Sequence, residues 1–458
     1  MCFTLWSLAL LFPYGSVAYP SVNLNWTFNS RPDIQAPKAL PRSNIAAGSK
    51  DTTSITAENC LAEVATLELV SAETVQNGPH IYDHKGNLVY SGFGHPHLSF
   101  YNGQYLIGGG RGHGIIMDST YRTAATVQSG NGRAPNDIHE FAVLPAIATV
   151  FEPAQYDLSA YGVSQPVGWV LEGIFQEIDI QTGEVLFEWR SLDYTDLSES
   201  YNERGSLSEG DYFHINAVEK DDDGNYLISS RYLCTLFKIN GKDESIMWRL
   251  NGKKNEFKFV DFNNTFAFQH HARIRAQNAS TLQFRYLTMA LMVRIRLALI
   301  LPACVHSAHQ YHTPNGGILT TSQGDTQLLS NTNVFMGWGS RPYMAEFIED
   351  GICIMMGQYS ADVNSAAMSY RIFKIGYNDW VGNPDSTPAL WATANGTAGS
   401  TEIYASWNGG SVDGTYHFTK LGVTAKNGFE TGFTYAEALT ADGKVLGKSP
   451  ERKTYMPA

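Results

Sequence analysis

Three stretches set chemically able side chains where an apolar alternation would otherwise run. NDIHEFAV carries Asp137, His139 and Glu140 just before an apolar strand. DYFHINAVEKDDDGNYLISSR carries His214 and Asn216, spaced i, i+2 and so on one strand face, and ends with Arg231 on the next strand, after a hairpin turned by Asp222-Asp223-Gly224. FAFQHHARI supplies Gln269, His270, His271 and Arg273. Neighbours in a strand point to opposite faces, so His270 and His271 cannot do the same job. One faces a core or cavity and the other faces away.

Each residue has an ordinary reading. An isolated histidine in a sheet is most often a hydrogen-bonded structural residue, and Arg231 alone could be a cross-strand ion pair. The Asp-Asp-Asp-Gly run is a hairpin turn, because the ligand spacing of a calcium loop is missing. Coincidence weighs the other way, since three or four strand units each offer His, Asn or Arg at a comparable point. Metal binding would recruit carboxylates or more converging imidazoles. His306, His309 and His312 in HSAHQYH have tempting metal spacing but fall in an atypical stretch. The alternative is a tetrahedral oxyanion, held by arginine for charge and by asparagine and histidine as donors, with one neutral histidine as nucleophile. Neither a metal nor a cofactor is expected.

The elements that must position these groups are short strands. HIYDHKGNLVYSG reads as strand, turn, strand, and HLSFYNGQYLIGG as a hairpin around Asn102-Gly103. GVSQPVGWVLEGIFQEIDIQTGEVLFEWRSLD alternates, turns at Gln181-Thr182-Gly183 and alternates again to Trp189. DDDGNYLISSRYLCTLFKINGKDESIMWRL repeats that pattern to Trp248, and NVFMGWGSRPYMAEFIEDGICIMMGQY forms a further unit. Self-similar strand units of this size suggest an all-β chain folded as a β-propeller, with six blades favoured. A β-sandwich pair is the alternative. Residues 19–59, rich in Pro, Ser, Ala and Thr, read as an extended N-terminal segment, and 60–458 as the propeller domain.

Composition narrows the partners. Aromatic content of 12% and 42 glycines against 17% charged residues suit short strands and tight turns. A net charge of −12 argues against a nucleic-acid surface, so an anionic substrate needs a local cationic cluster. Residues 1–18 look like a secretory signal ending at Ser16-Val17-Ala18, which places the product outside the cell. Sequons at Asn25, Asn263, Asn278 and Asn395 fit that route. Cys60, Cys234, Cys304 and Cys353 then permit one or two disulfides. The apolar run from Leu287 to Val305 is not a membrane span, because Arg294 and Arg296 near its middle would each cost about 2.5–3.5 kcal/mol.

The strings DIHEF, GWVLEGIFQEIDIQTGEVLFEW, DYFHINAVEKDDDGNYLISSR, IMWRLNGK, FAFQHHAR and NVFMGWGS closely resemble the arylsulfotransferase family in its fungal branch, from about Phe28 to Trp407. The resemblance implies a six-bladed propeller that moves a sulfuryl group from an aryl sulfate to a phenol through a sulfated histidine, without a nucleotide donor. Carried over residue by residue, it implies that His270 takes the sulfuryl group. It further implies that His214 with Asn216 form a His-x-Asn pair, that Arg231 is the arginine of SSR, and that His139 is the histidine of the earlier blade. On this reading Arg231 and Asn216 bind substrate, and His139 or His214 supplies a proton to the leaving phenol.

Two departures stand out. The branch usually has an acidic residue where this chain has His271. After Phe284 the resemblance lapses, and 285–312 reads as an atypical stretch of Leu, Met and Arg without strand-turn logic, of the kind a gene-model error or retained intron sequence would produce. A non-catalytic secreted propeller binding a glycan or protein is the competing function. A metal-dependent hydrolase is a weaker third, and oligomeric state is not legible.

Overall fold

Turn chemistry starts and stops the strands where apolar alternation ends. Val167–Ile178 and Val185–Arg190 pair across a turn in which Asp179 Oδ1 accepts the Gln181 and Thr182 amides and Gly183 takes φ +74°. Ile215–Lys220 and Tyr226–Ser230 pair across the Asp222-Asp223-Gly224 turn, with Gly224 at φ +84° and Asp221 Oδ1 accepting the Asn225 amide at 2.7 Å.

The computed structural model describes residues 64–69, 78–83, 88–91 and 99–453. The last span has breaks at 107–108, 144–145, 160–166, 203–209, 261–265, 279–280, 289–290, 299–303, 312–319, 360–367, 376–381, 383, 385, 395–400, 407–413, 427–428 and 441–442. The signal segment, residues 19–59, Asn25, Cys60, Asn263, His312 and Asn395 lie outside the described residues, as do the side chains of Cys304, His306 and His309.

The chain divides into two compact units. In the larger, antiparallel sheets follow one another in chain order. Ser99–Leu106, Gly109–Met117 and Thr123–Val127 form one sheet. Phe141–Ala142, Ala146–Asp157, Val167–Ile178 and Val185–Arg190 form the next. Ile215–Lys220, Tyr226–Ser230, Thr235–Ile239 and Ile246–Leu250 follow as a four-strand meander, and Asp325–Leu328, Val334–Gly337, Tyr343–Phe347 and Cys353–Gln358 repeat it. Ile372–Ile375 then pairs with Val64–Leu69, which continues into Gly78–Asp83 and Leu88–Ser91, so the last strand shares a sheet with the first. With helix reduced to turns such as Ser191–Tyr194, this is an all-β propeller. The smaller unit holds the described strands from Ala389 to Lys453. Ala389–Ala394 pairs with Thr401–Ser406, and Phe429–Thr440 pairs with Val445–Lys448 and Arg452–Lys453.

Packing lies between successive sheets. Phe151, Phe175 and Trp189 of one sheet meet Phe213, Tyr226, Ile228 and Phe237 of the next. Ala217, Leu227 and Leu236 then meet Ala272, Leu282, Phe284 and Tyr286. Each fully buried Phe or Ile contributes about 1.5–3 kcal/mol, so every sheet is stabilised by its neighbour rather than by its own two faces. Trp189 is buried and stacks on Phe175 and Tyr194, whereas Trp248 is only half-buried.

Four expectations are corrected. Asn102-Gly103 is not a turn: both residues lie inside Ser99–Leu106 opposite His113 and Gly112. Its glycine serves close strand approach, since a Cβ on Gly103 would stand 2.6 Å from the Gly112 Cα. Arg231 heads the turn after Tyr226–Ser230 rather than sitting on the strand. Strands continue among the described residues of 285–312, where Thr281–Thr288, Leu291–Ala298 and Cys304–Tyr311 join His270–Gln277 in one sheet and Phe284, Tyr286 and Leu287 are buried. Cys234 and Cys353 are free and buried, so neither forms an expected disulfide. Among the described residues no helix is long and apolar enough to cross a membrane.

Candidate functional site

Three sheets present their imidazoles from the start of a strand. His139 stands just before Phe141–Ala142, His214 just before Ile215–Lys220, and His270 opens His270–Gln277. The backbone there is unusual. His214, Phe268 and His271 adopt φ of +54°, +53° and +52°, a region that costs a non-glycine residue about 1–2 kcal/mol. Ladder irregularities between Ile215 and Ala217 and between His270 and Arg273 accompany these kinks and re-aim the side chains.

The result is a row of rings. His139 and His214 meet edge-on with centroids 4.4 Å apart, and His214 lies 6.5 Å from His270. The Nδ1 of His139 meets Asp137 Oδ2, and that of His214 lies 2.5 Å from Asp211 Oδ2. Arg231 flanks the row between two rings, 4.8 Å from Tyr232 and 4.9 Å from Phe268, and donates to the Thr321 carbonyl at 3.3 Å. His270 lines a small, tight cleft with Phe268, Leu287 and Thr320 to Gln323.

His270 and His271 separate chemically. His270 Nδ1 lies 3.1 Å from the Phe268 carbonyl oxygen. A carbonyl only accepts, so Nδ1 carries the hydrogen and Nε2 keeps its lone pair. Burial first, then the charge of Arg231 and the neighbouring imidazoles, holds His270 well below the ordinary imidazole value. At neutral pH it is an uncharged base with a bare Nε2. His271 has the opposite tautomer: its Nδ1 accepts the Thr326 amide at 3.0 Å, and it is buried between sheets. An acidic residue there could accept the same amide, so replacing one by histidine leaves this bond intact.

Asn216 does not stand on one working face with His214. It is 1% exposed and its Nδ2 donates 2.7 Å to the Gln269 carbonyl. Gln269 in turn donates to Ser229 Oγ and to the Ser230 and Thr235 carbonyls. The irregular strand turns Asn216 inward, where its bond fixes the segment that carries His270.

Beneath the row lies an ionic hub. Glu140, 1% exposed, accepts Arg273 at 2.7 Å, Arg371 at 2.8 Å and the Val218 amide at 3.2 Å. Arg371 also donates to the His139 carbonyl at 2.9 Å, so groups from four sheets meet at one carboxylate. Burial alone would raise Glu140, but the two guanidinium charges outweigh it and bring it down to about 2. Sequence reasoning missed Asp211, Tyr232, Phe268, Arg371 and the 320–323 loop as site members. The recurrence of aspartate shortly before histidine, in DIH and DYFH, is the signal that could have found Asp211. Among the described residues no group of three His, Cys, Asp or Glu is arranged to hold a metal ion.

The class so defined is a β-propeller that gathers a neutral imidazole, two imidazole–carboxylate pairs and a guanidinium within one cluster, a set suited to handling an oxyanion and a proton together. The chain belongs to the arylsulfotransferase (ASST) family, whose sequence profile matches residues 71–360 and so contains all five predicted site residues. No curated protein sequence matches this chain. Among solved structures, a protein of unknown function from Bacteroides caccae is 11% identical with a TM-score of 0.38, covering 68% of this chain and 98% of its own. A protein from Lactobacillus plantarum is 9% identical, TM-score 0.34, covering 69% and 99%. A virginiamycin B lyase from Staphylococcus aureus is 10% identical, TM-score 0.23, covering 66% and 74%. Similarity at these levels carries no argument about function.

Proposed function

We propose that this protein transfers a sulfuryl group from an aryl sulfate to a phenolic acceptor through a sulfohistidine at His270. The observation that carries the reading is the Nδ1–H bond from His270 to the Phe268 carbonyl, which leaves Nε2 bare on a cleft-lining ring held neutral by its surroundings. Nε2 attacks sulfur, the aryl oxygen–sulfur bond breaks, and the leaving oxygen takes a proton from the histidine row. An acceptor phenol then loses its proton as its oxygen displaces Nε2 from sulfur. Charge spread over the sulfuryl oxygens, by analogy with phosphoryl transfer, is met by Arg231, whose flanking rings hold its plane. A phenol leaving with a pKa of about 10 gains from a proton donor, and His214 and His139 are the groups beside the nucleophile that can serve.

The same reading takes the larger unit's successive sheets as six blades and the product as secreted, as the apolar leader and sequons suggest. The test is a chromogenic aryl sulfate with and without a phenol acceptor. Acceptor-dependent release, lost in His270→Ala, is expected. Equal release in both conditions would make the protein a sulfatase, loss on chelation would indicate a metal, and no release at all would leave the binding propeller standing.

A further inference from the structure

The two imidazole–carboxylate pairs look alike but differ in how many donors each carboxylate receives. Asp137 accepts the Gly110 amide at 2.6 Å and the His139 amide at 3.0 Å besides the His139 ring. Burial alone would raise its carboxyl, but His139 and these amides hold it below the ordinary range. It is therefore a fixed carboxylate. Asp211 has the His214 ring at 2.5 Å and, as a further donor, the His214 backbone amide. Its backbone is anchored, since Asp211 bridges Leu171 of the preceding sheet and its carbonyl accepts Asn202 Nδ2 at 2.8 Å. The carboxylate is thus held in place but under-supplied with donors.

We propose that Asp211 is a positioning residue that makes His214 the reversible proton carrier of both half-reactions. This rests on the transfer reading above. In the neutral pair one proton lies between Asp211 Oδ2 and His214 Nδ1 while Nε2 carries a second. As the aryl oxygen–sulfur bond breaks and the His270 nitrogen–sulfur bond forms, the Nε2 proton passes to the leaving oxygen. The pair is left with one negative charge and a bare Nε2. The acceptor phenol then gives its proton to that Nε2 as its oxygen bonds to sulfur and the nitrogen–sulfur bond breaks, which restores the neutral pair. No other reactant is needed.

Such a carrier must change protonation near working pH. Burial pushes Asp211 up to about 7, Asp137 adds to that, and His139 and Arg231 oppose it. Burial, with His139 and Arg231, keeps His214 itself well below its ordinary value. His270, Tyr232 and Phe151 complete the groups facing the His214 ring. Two like pairs pushed apart by their surroundings are the arrangement in which one holds charge and the other moves a proton.

The test uses the whole protein with nitrogen-labelled histidine, followed by NMR against pH, and the His214 signal is identified by its loss in His214→Gln. As Asp211 loses its proton near neutrality, the wild-type His214 signal is expected to pass from Nε2–H to Nδ1–H, and in Asp211→Asn this step should vanish or move by about one pH unit or more. With a series of aryl sulfates, the rate lost in Asp211→Asn should grow from about tenfold for 4-nitrophenyl sulfate to about 10²–10³-fold for phenyl sulfate, whose poorer leaving group depends more on the donor. A wild-type His214 signal that does not change between about pH 5.5 and 8.5 overturns the proposal. So does an Asp211→Asn variant whose His214 signal is unmoved, or whose rate loss is equal across the series. The titration needs no turnover, so a protein inert toward aryl sulfates but with the expected His214 signals counts against the transfer reading alone.

Discussion

His270 Nδ1 donates to the carbonyl oxygen of Phe268, two residues earlier, at 3.1 Å. That single bond selects which nitrogen of which histidine can act as a nucleophile. Its geometry depends on the left-handed backbone at Phe268 and on the Gln269 side chain anchored across to the preceding sheet. His270→Ala is expected to lower transfer by at least about 10³-fold with the fold intact. His271→Ala, which strands the buried Thr326 amide, should instead destabilise the protein by about 1–3 kcal/mol in denaturant titration.

Arg231 acts through shape as well as charge. Its guanidinium is flanked by Tyr232 and Phe268, which a lysine cannot reproduce. Arg231→Lys is expected to lower kcat by about 10²-fold while the thermal midpoint is unchanged. A lysine variant with full activity would mean that the arginine supplies only long-range charge.

The Glu140 hub makes the fold sensitive to acid. Its folded value of about 2 lies below that of an unfolded glutamate, about 4.3, so the stability it contributes is present above the unfolded value and lost as pH falls toward 2. Glu140→Gln leaves Arg273 and Arg371 buried without their anion and should cost about 3–5 kcal/mol at pH 7. The difference from wild type should shrink as pH is lowered from 5 toward 2, measured by urea unfolding across that range.

Asp325 has the opposite sign. It is fully buried, accepts the Ile372 amide with Oδ1 at 2.8 Å, and leaves Oδ2 without a partner. Burial pushes its carboxyl up to about 7, above the unfolded value of about 3.9, so ionising it costs stability as pH rises through that interval. Asp325→Asn, which keeps the Ile372 acceptor, is expected to be about 4 kcal/mol more stable than wild type at pH 8 and equal to it near pH 4. Equal stability at both pH values would show that the arginines around it cancel the burial cost.

Much of the site was legible because its members break a pattern. His139, His214, Arg231 and His270 interrupt apolar alternation at the starts and ends of strands, and such interruptions survive in a single sequence. Arg371 was not legible, because its partner Glu140 is 231 positions away and an isolated arginine before a strand has no spacing to read. The two adjacent histidines separate through a ladder irregularity and a left-handed His271 rather than through simple alternation. A separate irregularity between Ile215 and Ala217, next to the left-handed His214, turns Asn216 inward although it reads as sharing a face with His214. Asn102-Gly103 misled because glycine signals either a turn or a close approach, and only the pairing with Gly112 distinguishes them. Within 285–312 the mixture of Leu, Met and Arg does not announce Leu291–Ala298 and Cys304–Tyr311, which pair with each other, the first of them also with Thr281–Thr288.

The most direct measurement is mass spectrometry of the protein after brief exposure to an aryl sulfate without acceptor. One added SO3 unit on the peptide containing His270, discharged when a phenol is supplied, is the expected result. An unmodified His270 peptide in protein that is turning over the same aryl sulfate, or an adduct on another residue, would contradict it.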